Sequence, residues 1–107
     1  MTQYEIWWAD LPAPAGRRPV LLLSRPDAYS YLNKFVVAEI TTTIREIPVE
    51  IPLGKDEGMA KTCVANCDNL RTVSKAVLTE RVSRLPANRI GEVKRALGYA
   101  FDWAELT

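Results

Sequence analysis

The continuous apolar run PVLLLS, residues 19–24, constrains the fold more than any other feature of the sequence. It is bounded by Pro19 and by the segment RPD, and such a run is typical of a central strand that is buried on both faces. Because proline has no N–H to donate to a neighbouring strand, we expect Pro19 to be the first residue of this strand. The chain is therefore expected to fold around a β-sheet.

Other segments rich in strand-forming residues are separated by loops that contain proline and glycine. YEIWWADL predicts a first strand over residues 4–10, in which Ile6 and Trp8 share one face and Trp8 is expected to lie in the core. FVVAEITTT and VEIPL predict the third and fourth strands, joined by IREIP, and GKDEG predicts a turn. TCVANC and LRTV predict two short strands, or one strand bent around Asp68 and Asn69.

The C-terminal part of the chain predicts a helix. SKAVLTERVSRL is ambiguous, and we expect a helical turn over residues 75–78 and a short strand over 81–83. Beyond Pro86, apolar residues recur at the three-to-four spacing of an amphipathic helix as far as Ala104. The expected fold is mainly β: five to seven short strands form a small, strongly curved sheet or partial barrel, and a C-terminal α-helix packs on it.

Composition and charge narrow the class of protein. With 107 residues, 48% of them hydrophobic and 25% charged, the chain has the size and balance of a single globular domain over residues 1–107. It has no apolar window of membrane-spanning length and no secretory-type start, so we expect a cytoplasmic protein without a membrane partner. Residues 71–95 hold seven Lys or Arg against two Glu. This bias indicates either solvated basic side chains or a phosphate-bearing or acidic partner.

Cysteine and histidine content excludes several kinds of chemistry. Cys63 and Cys67 would lie about 13 Å apart in a strand, too far for a disulfide, and we expect both to be small buried residues. The chain has no histidine, so it has no zinc site of the usual kind, no Ser-His-Asp triad and no two-histidine ribonuclease centre. It also lacks phosphate-binding glycine motifs and a carboxylate cluster for two metals, and we expect neither a metal nor a cofactor.

Three short segments could carry chemistry that depends on Arg, Thr and Asp. In GRRPV, Pro19 holds the preceding Arg18 in extended geometry, and a guanidinium matches the oxygens of a phosphate. The alternative is an arginine that pairs with a nearby carboxylate or extends into water. The threonines of EITTTIRE end a strand, and their hydroxyls could donate to a phosphate oxygen or be ordinary strand residues. NCDNLRT places Asp68, Asn69 and Arg71 in one bend, where such residues also cap their own backbone.

These segments, together with the predicted strands and helix, resemble the MazF/PemK family of toxin endoribonucleases over nearly the whole length of the chain. The resemblance rests on EIWWADLP, GRRPVLLLS, VVAEITTTIR, VEIPL, KDEGMAKTCVANCDNLRTVSK and LTERVSRLPANRIGEVKRALGYAF, which follow one another in the family's order. It implies a CcdB/PemK-type SH3-like small β-barrel that works as a homodimer. It further implies that the protein cleaves single-stranded RNA, principally mRNA, without a metal. It also implies a cognate antitoxin whose acidic, disordered tail occupies the RNA groove.

The resemblance also implies roles for particular residues. The family's catalytic arginine falls on Arg18, its threonine at the end of the third strand on Thr41, and an aspartate after the fifth strand on Asp68. We expect the RNA 2′-hydroxyl to attack the adjacent phosphorus, while Arg18 and Thr41 stabilise the charge of the transition state. An arginine is a poor base at neutral pH, so Asp68 or solvent is the alternative acceptor of the proton.

Recognition of bases is expected to come from residues in or near the loops. The candidates for RNA binding are Arg17, Ser24, Thr43, Arg45, Asn69 and Arg71. Trp7 could stack on a base if it faces outward, although packing in a core or dimer is the favoured interpretation.

Three other functions remain open at this point. A CcdB-like poison of DNA gyrase would share the fold without needing Arg18 or Thr41. A basic nucleic-acid-binding adaptor would bind RNA with a steep salt dependence and release it unbroken. A toxin with a decayed active site would keep the fold but would not cleave RNA.

Overall fold

The computed structural model describes all residues from 1 to 107 and contains six strands and two α-helices. In chain order they are β1 (Glu5–Asp10), β2 (Arg17–Leu22), α1 (Ala28–Tyr31), β3 (Lys34–Thr41), β4 (Glu50–Leu53), β5 (Cys63–Ser74), β6 (Leu78–Arg84) and α2 (Ile90–Phe101). The strands form one antiparallel sheet in the order β4-β5-β3-β2-β1-β6. The mainly β architecture with a C-terminal helix agrees with the prediction.

Strand β2 lies inside the sheet, between β1 and β3. Its residues Val20, Leu21 and Leu22 are completely buried, as expected for a strand covered on both faces. The prediction that Pro19 begins the strand is wrong, because β2 starts at Arg17 and Pro19 pairs with Trp8 of β1. Pairing of β2 with β3 begins only at Val20. Since proline cannot donate an N–H, Pro19 marks the start of that second ladder instead of the start of the strand.

The sheet carries a hydrophobic core on each face. One core lies under α2 and includes Ile6, Leu21, Ile40, Ile51 and Val93. The other lies under α1 and includes Ala9, Val20, Leu22, Phe35 and Val37. Alternate residues of β2 therefore enter different cores, which explains why this strand has no polar position after Pro19.

The prediction that Trp8 is a core residue is wrong. Trp7 packs against the core under α1, while Trp8 belongs to neither core and lines a surface pocket. Trp8 does share a face with the buried Ile6, but it lies nearer the end of β1, where α2 no longer covers the sheet. The favoured interpretation of Trp7 as a packing residue is confirmed.

The C-terminal helix is shorter than the apolar pattern predicts. Pro86 precedes a single 3₁₀ turn, and α2 ends at Phe101 because Asp102 adopts a left-handed conformation with φ of 58°. Ala104 lies in a separate 3₁₀ turn that folds back on Gly98. A Cβ on Gly98 would come within 2.7 Å of Leu106 Cβ, so this glycine allows the close approach of the chain's last residues.

Both cysteines are free and buried, as predicted. Burial raises the pKa of the Cys67 thiol to about 12, and Asp68 contributes in the same direction. This thiol is therefore neutral at physiological pH and is no nucleophile. Neither helix combines the length and the apolar composition that a membrane-spanning helix needs.

Candidate active site

Two of the three predicted catalytic side chains, those of Arg18 and Thr41, lie on the same face at the same end of β2 and β3. Val20 pairs with Glu39, and continuing this antiparallel register by two residues places Arg18 opposite Thr41. Side chains two residues apart in a strand point to the same face. The face that carries Val20 and Glu39 therefore also carries Arg18 and Thr41.

Glu39 connects Arg18 to Arg71, the arginine of NCDNLRT. Its Oε1 lies 3.4 Å from Arg18 Nη1, and its Oε2 lies 3.1 Å from Arg71 Nε. The Glu39 side chain is 12% exposed, whereas Arg18 and Arg71 are 31% and 35% exposed. The sequence analysis missed Glu39, although a single carboxylate inside the apolar segment VVAEI was a visible signal.

An irregularity in β5 brings Asp68 and Asn69 next to this group. Ala38 pairs with Leu70 but the next residue, Glu39, pairs with Asn66, so residues 67–69 of β5 have no partner in β3. Such a bulge redirects side chains out of the ladder, and both Asp68 and Asn69 are exposed. The prediction of one strand bent around these residues is confirmed, and Asp68 thus lies within the fifth strand and not after it.

The carboxylate of Asp68 makes no hydrogen bond or ion pair, while its N–H donates to Asn66 Oδ1 at 2.8 Å. Asp68 is thus free to receive a proton or a ligand. No contact connects it to Arg18.

The segment after β3 adds further polar groups to the same edge. The N–H of Thr43 donates to Thr41 Oγ1 at 3.1 Å, which leaves the Thr41 hydroxyl proton free to donate elsewhere. Arg45 is exposed, and its backbone N–H donates to the carboxylate of Glu50. The side chains of Thr43 and Arg45 have no protein partner and remain available to a ligand.

Arg17 lies on the opposite face of β2 from Arg18. Its guanidinium is 4.8 Å from the centre of the Trp8 ring and forms long ion pairs with Asp10, at 3.5 Å, and Glu80, at 3.6 Å. Trp8 lines a pocket of about 270 Å³ together with Pro19, Thr41, Thr42, Met59 and Lys61, among others. An apolar pocket with threonines and a lysine at its rim suits an unpaired nucleobase.

Ser24 does not join this group. It follows β2 at the end opposite to Arg18, about 20 Å away at the usual rise per strand residue. Its hydroxyl accepts the N–H of Val36 at 2.8 Å, which gives this serine a role in the connection between β2 and β3.

The assembled site offers two guanidiniums and one hydroxyl to an anion. Arg18 and Arg71 each use one nitrogen on Glu39, so most of their N–H groups remain free, and paired guanidinium donors favour phosphate. No three His, Cys, Asp or Glu side chains in the structure are grouped so that they could hold a metal ion.

The small curled β-sheet presents two arginines and a threonine at one end, which are the donors that a phosphate or another anion would need. Comparison with known proteins identifies the class of protein. The family model described as "PemK-like, MazF-like toxin of type II toxin-antitoxin system" matches residues 2–101. The chain belongs to this family, as predicted.

Relatives and solved structures agree with this assignment. The protein named "Probable endoribonuclease MazF5" of Mycobacterium tuberculosis is 41% identical over 100 residues, which cover 92% of this chain and 90% of that protein. The "Endoribonuclease MazF3" of the same species is 35% identical over 85 residues, covering 79% and 82% of the two chains. The enzyme class predicted from the sequence, endoribonuclease, is the class that the names of these relatives give.

The solved structure of "Mycobacterium tuberculosis toxin MazF-mt6" superposes with a TM-score of 0.86 at 34% identity, covering 92% of this chain and 96% of that one. A mycobacterial "Endoribonuclease in complex with its cognate antitoxin" has a TM-score of 0.85 at 23% identity, covers 96% of each chain, and shows a common fold. The predicted fold class is confirmed.

Proposed function

We propose that this chain is a metal-independent endoribonuclease toxin that cleaves single-stranded RNA, principally mRNA, at a short recognition sequence. The observation that carries the proposal is the register of β2 and β3, which brings the half-buried Arg18 and Thr41 to one face at the same end of the two strands. Membership of a toxin family whose members are named endoribonucleases supports RNA as the substrate.

In the proposed reaction the 2′-oxygen of one nucleotide forms a bond to the adjacent phosphorus. The bond from phosphorus to the 5′-oxygen of the next nucleotide breaks, and that oxygen takes up a proton. The products are a 2′,3′-cyclic phosphate, or the 3′-phosphate formed by its hydrolysis, and a 5′-hydroxyl. Negative charge collects on the phosphate oxygens in the transition state, where Arg18 and Thr41 stabilise it as preorganised donors.

The proton of the 2′-hydroxyl needs an acceptor. A guanidinium remains protonated throughout the physiological pH range and is therefore a poor base at neutral pH. The free carboxylate of Asp68, exposed at the bulge of β5, supports its role as this acceptor, with solvent as the alternative.

We propose that exposed or half-buried polar residues around the site bind the rest of the RNA. These are Arg17, Thr43, Arg45, Asn69 and Arg71. Trp8 extends this set, since its indole lines the pocket beside Thr41 and gives an unpaired base an aromatic surface. Ser24, at the far end of β2, is a candidate only for RNA that continues past the strand.

We further propose that the protein acts in the cytoplasm as a homodimer and is silenced by a cognate antitoxin with an acidic, disordered tail. The free donors of Arg18 and Arg71 support this idea, because carboxylates compete with phosphate for the same guanidiniums. Light scattering on the purified protein tests the dimer. Titration of a synthetic acidic tail into the cleavage assay tests the competition.

The decisive experiment incubates long single-stranded RNA with the protein in EDTA and maps the ends of the fragments. The wild-type protein should cut at one short sequence and leave cyclic-phosphate or 3′-phosphate ends, and Arg18→Ala should lose this activity. Arg95→Ala is the matched control, since Arg95 is an exposed arginine on α2 without an ion pair. Intact RNA with wild-type protein would contradict the proposal, and DNA breaks in a gyrase assay would then identify a gyrase poison.

A further inference from the structure

Glu39, in the middle of β3, is a nearly buried carboxylate that bridges two arginines. Its neighbours Ala38 and Ile40 are buried in the core under α2, and its own side chain is only 12% exposed. Burying a carboxylate is costly unless the charge is paired. The guanidiniums of Arg18 and Arg71 provide its side-chain contacts, one to each carboxylate oxygen.

The geometry of these contacts leaves both arginines able to bind a ligand. Arg18 uses Nη1 and Arg71 uses Nε, so each guanidinium keeps the N–H groups of its other nitrogens. About a third of each arginine side chain is exposed, more than twice the exposed fraction of Glu39. Glu39 thus holds the two groups from within the sheet while their free donors face solvent.

We propose that Glu39 is a positioning residue that fixes Arg18 and Arg71 relative to each other for the scissile phosphate. This inference rests on the proposed function. Without the carboxylate, two like charges would repel each other and Arg18 would lose its only ion pair. A preorganised donor loses its catalytic effect when its position becomes loose, and a displacement of about 1 Å can cost about 100-fold in rate.

The same carboxylate has an opposite effect on binding. Its negative charge repels the RNA backbone, and it satisfies donors that a phosphate would otherwise occupy alone. Removal of the charge should therefore lower kcat without weakening RNA binding. A residue needed only for folding would not separate the two constants in this way.

The test compares Glu39→Gln and Glu39→Asp with the wild-type protein in kcat and KM for a short labelled RNA. Gln keeps the shape of Glu but has one oxygen acceptor, and Asp keeps the charge but is one methylene too short to bridge both arginines. We expect kcat to fall about 10- to 100-fold in both variants. KM should be unchanged or lower in Glu39→Gln.

A double-mutant cycle with Arg18→Ala tests whether Glu39 acts through Arg18. Because Glu39 sets the position of Arg18 relative to Arg71, most of its effect on the rate should be lost once Arg18 is absent. Adding Glu39→Gln to Arg18→Ala should therefore change the single-turnover rate by less than about threefold. The matched control is Glu5→Gln, which removes a similarly buried, arginine-paired carboxylate at the end of β1 far from Arg18 and should leave kcat unchanged. Thermal unfolding of every variant establishes that it is folded, and Glu39→Asp completes the same cycle if Glu39→Gln does not fold.

The outcomes separate this inference from the proposed function. If the wild-type protein does not cleave RNA, the proposed function fails. If it cleaves in an Arg18-dependent manner but Glu39→Gln keeps the wild-type kcat, the positioning role of Glu39 is wrong. The role is also wrong if Glu39→Gln lowers the rate equally with and without Arg18, or if Glu5→Gln lowers kcat to the same extent.

Discussion

Glu5 at the start of β1 is predicted to make folding stability depend on pH in acid. Its side chain is 9% exposed. Its carboxylate accepts hydrogen bonds of 2.9 Å from Trp7 Nε1, Arg81 Nε and the N–H of Thr2. Burial by itself raises the pKa of this carboxyl, but the hydrogen bonds from Trp7, Arg81 and Thr2 together outweigh it and lower the pKa from 4.5 to about 2.

The direction of the effect follows from the order of the two pKa values. Because the folded-state pKa lies below the unfolded-state value, ionised Glu5 stabilises the fold at neutral pH. This contribution is lost as the pH falls from about 4.5 towards 2. A pKa difference of this size corresponds to about 3 kcal/mol of unfolding free energy at pH 7, of which about half should remain at pH 3.

The assay is urea unfolding of wild-type protein and Glu5→Gln between pH 7 and pH 3. Gln cannot ionise, so the difference in unfolding free energy between the two proteins should shrink by about 1 to 2 kcal/mol over this range. Arg81→Ala should weaken the same pH dependence, since it removes one of the three donors. Parallel stability curves for wild-type protein and Glu5→Gln would show that the Glu5 carboxylate does not stabilise the fold through its charge.

Three further predictions concern the site and the helix. Thr41→Val keeps the shape of the side chain but removes the donor, together with the acceptor of the Thr43 N–H. The single-turnover cleavage rate should fall about 100-fold, while thermal unfolding should show a loss of no more than about 1 kcal/mol; an unchanged rate would exclude a role for the hydroxyl. Arg71→Ala should weaken RNA binding and reduce the slope of log affinity against log salt by about 1, as measured by fluorescence anisotropy, and an unchanged slope would show that Arg71 contacts no phosphate. Gly98→Ala gains about 1 kcal/mol of helix propensity but places a methyl 2.7 Å from Leu106 Cβ, so urea unfolding should show a net loss of about 1 kcal/mol. A more stable Gly98→Ala variant would show that the last residues move aside freely.

The parts of the fold that local patterns determine could be predicted from the sequence. The apolar run after Pro19 correctly predicted a strand buried on both faces, and the spacing of apolar residues predicted α2. The four-residue helix α1 was missed, since AYSY is too short to show a helical period. The wrong prediction that Trp8 lies in the core has a different cause. Alternation along a strand identifies the buried residues only when one face of the sheet is buried, and this sheet has a core on both faces.

The candidate site could be predicted in part. Arg18, Thr41 and Arg71 were predicted from the sequence segments that contain them and from the resemblance of those segments to a family. The structure brings the three residues to one face at the same end of the sheet. Glu39 was missed because its role depends on two arginines that neighbouring strands supply from distant parts of the chain. Ser24 was proposed from its position after an apolar run, which does not reveal which end of the strand faces the site.

In the proposed reaction Arg18 and Thr41 promote attack by the RNA's own 2′-hydroxyl. This attack is tested most directly with a short RNA that carries one 2′-deoxynucleotide immediately 5′ of the mapped cleavage position, incubated with wild-type protein in EDTA. We expect this RNA to stay intact, while an RNA with the same replacement one nucleotide away is cut at the normal rate. Cleavage at the 2′-deoxy position would exclude attack by the 2′-hydroxyl, because the attacking oxygen would then have to come from water.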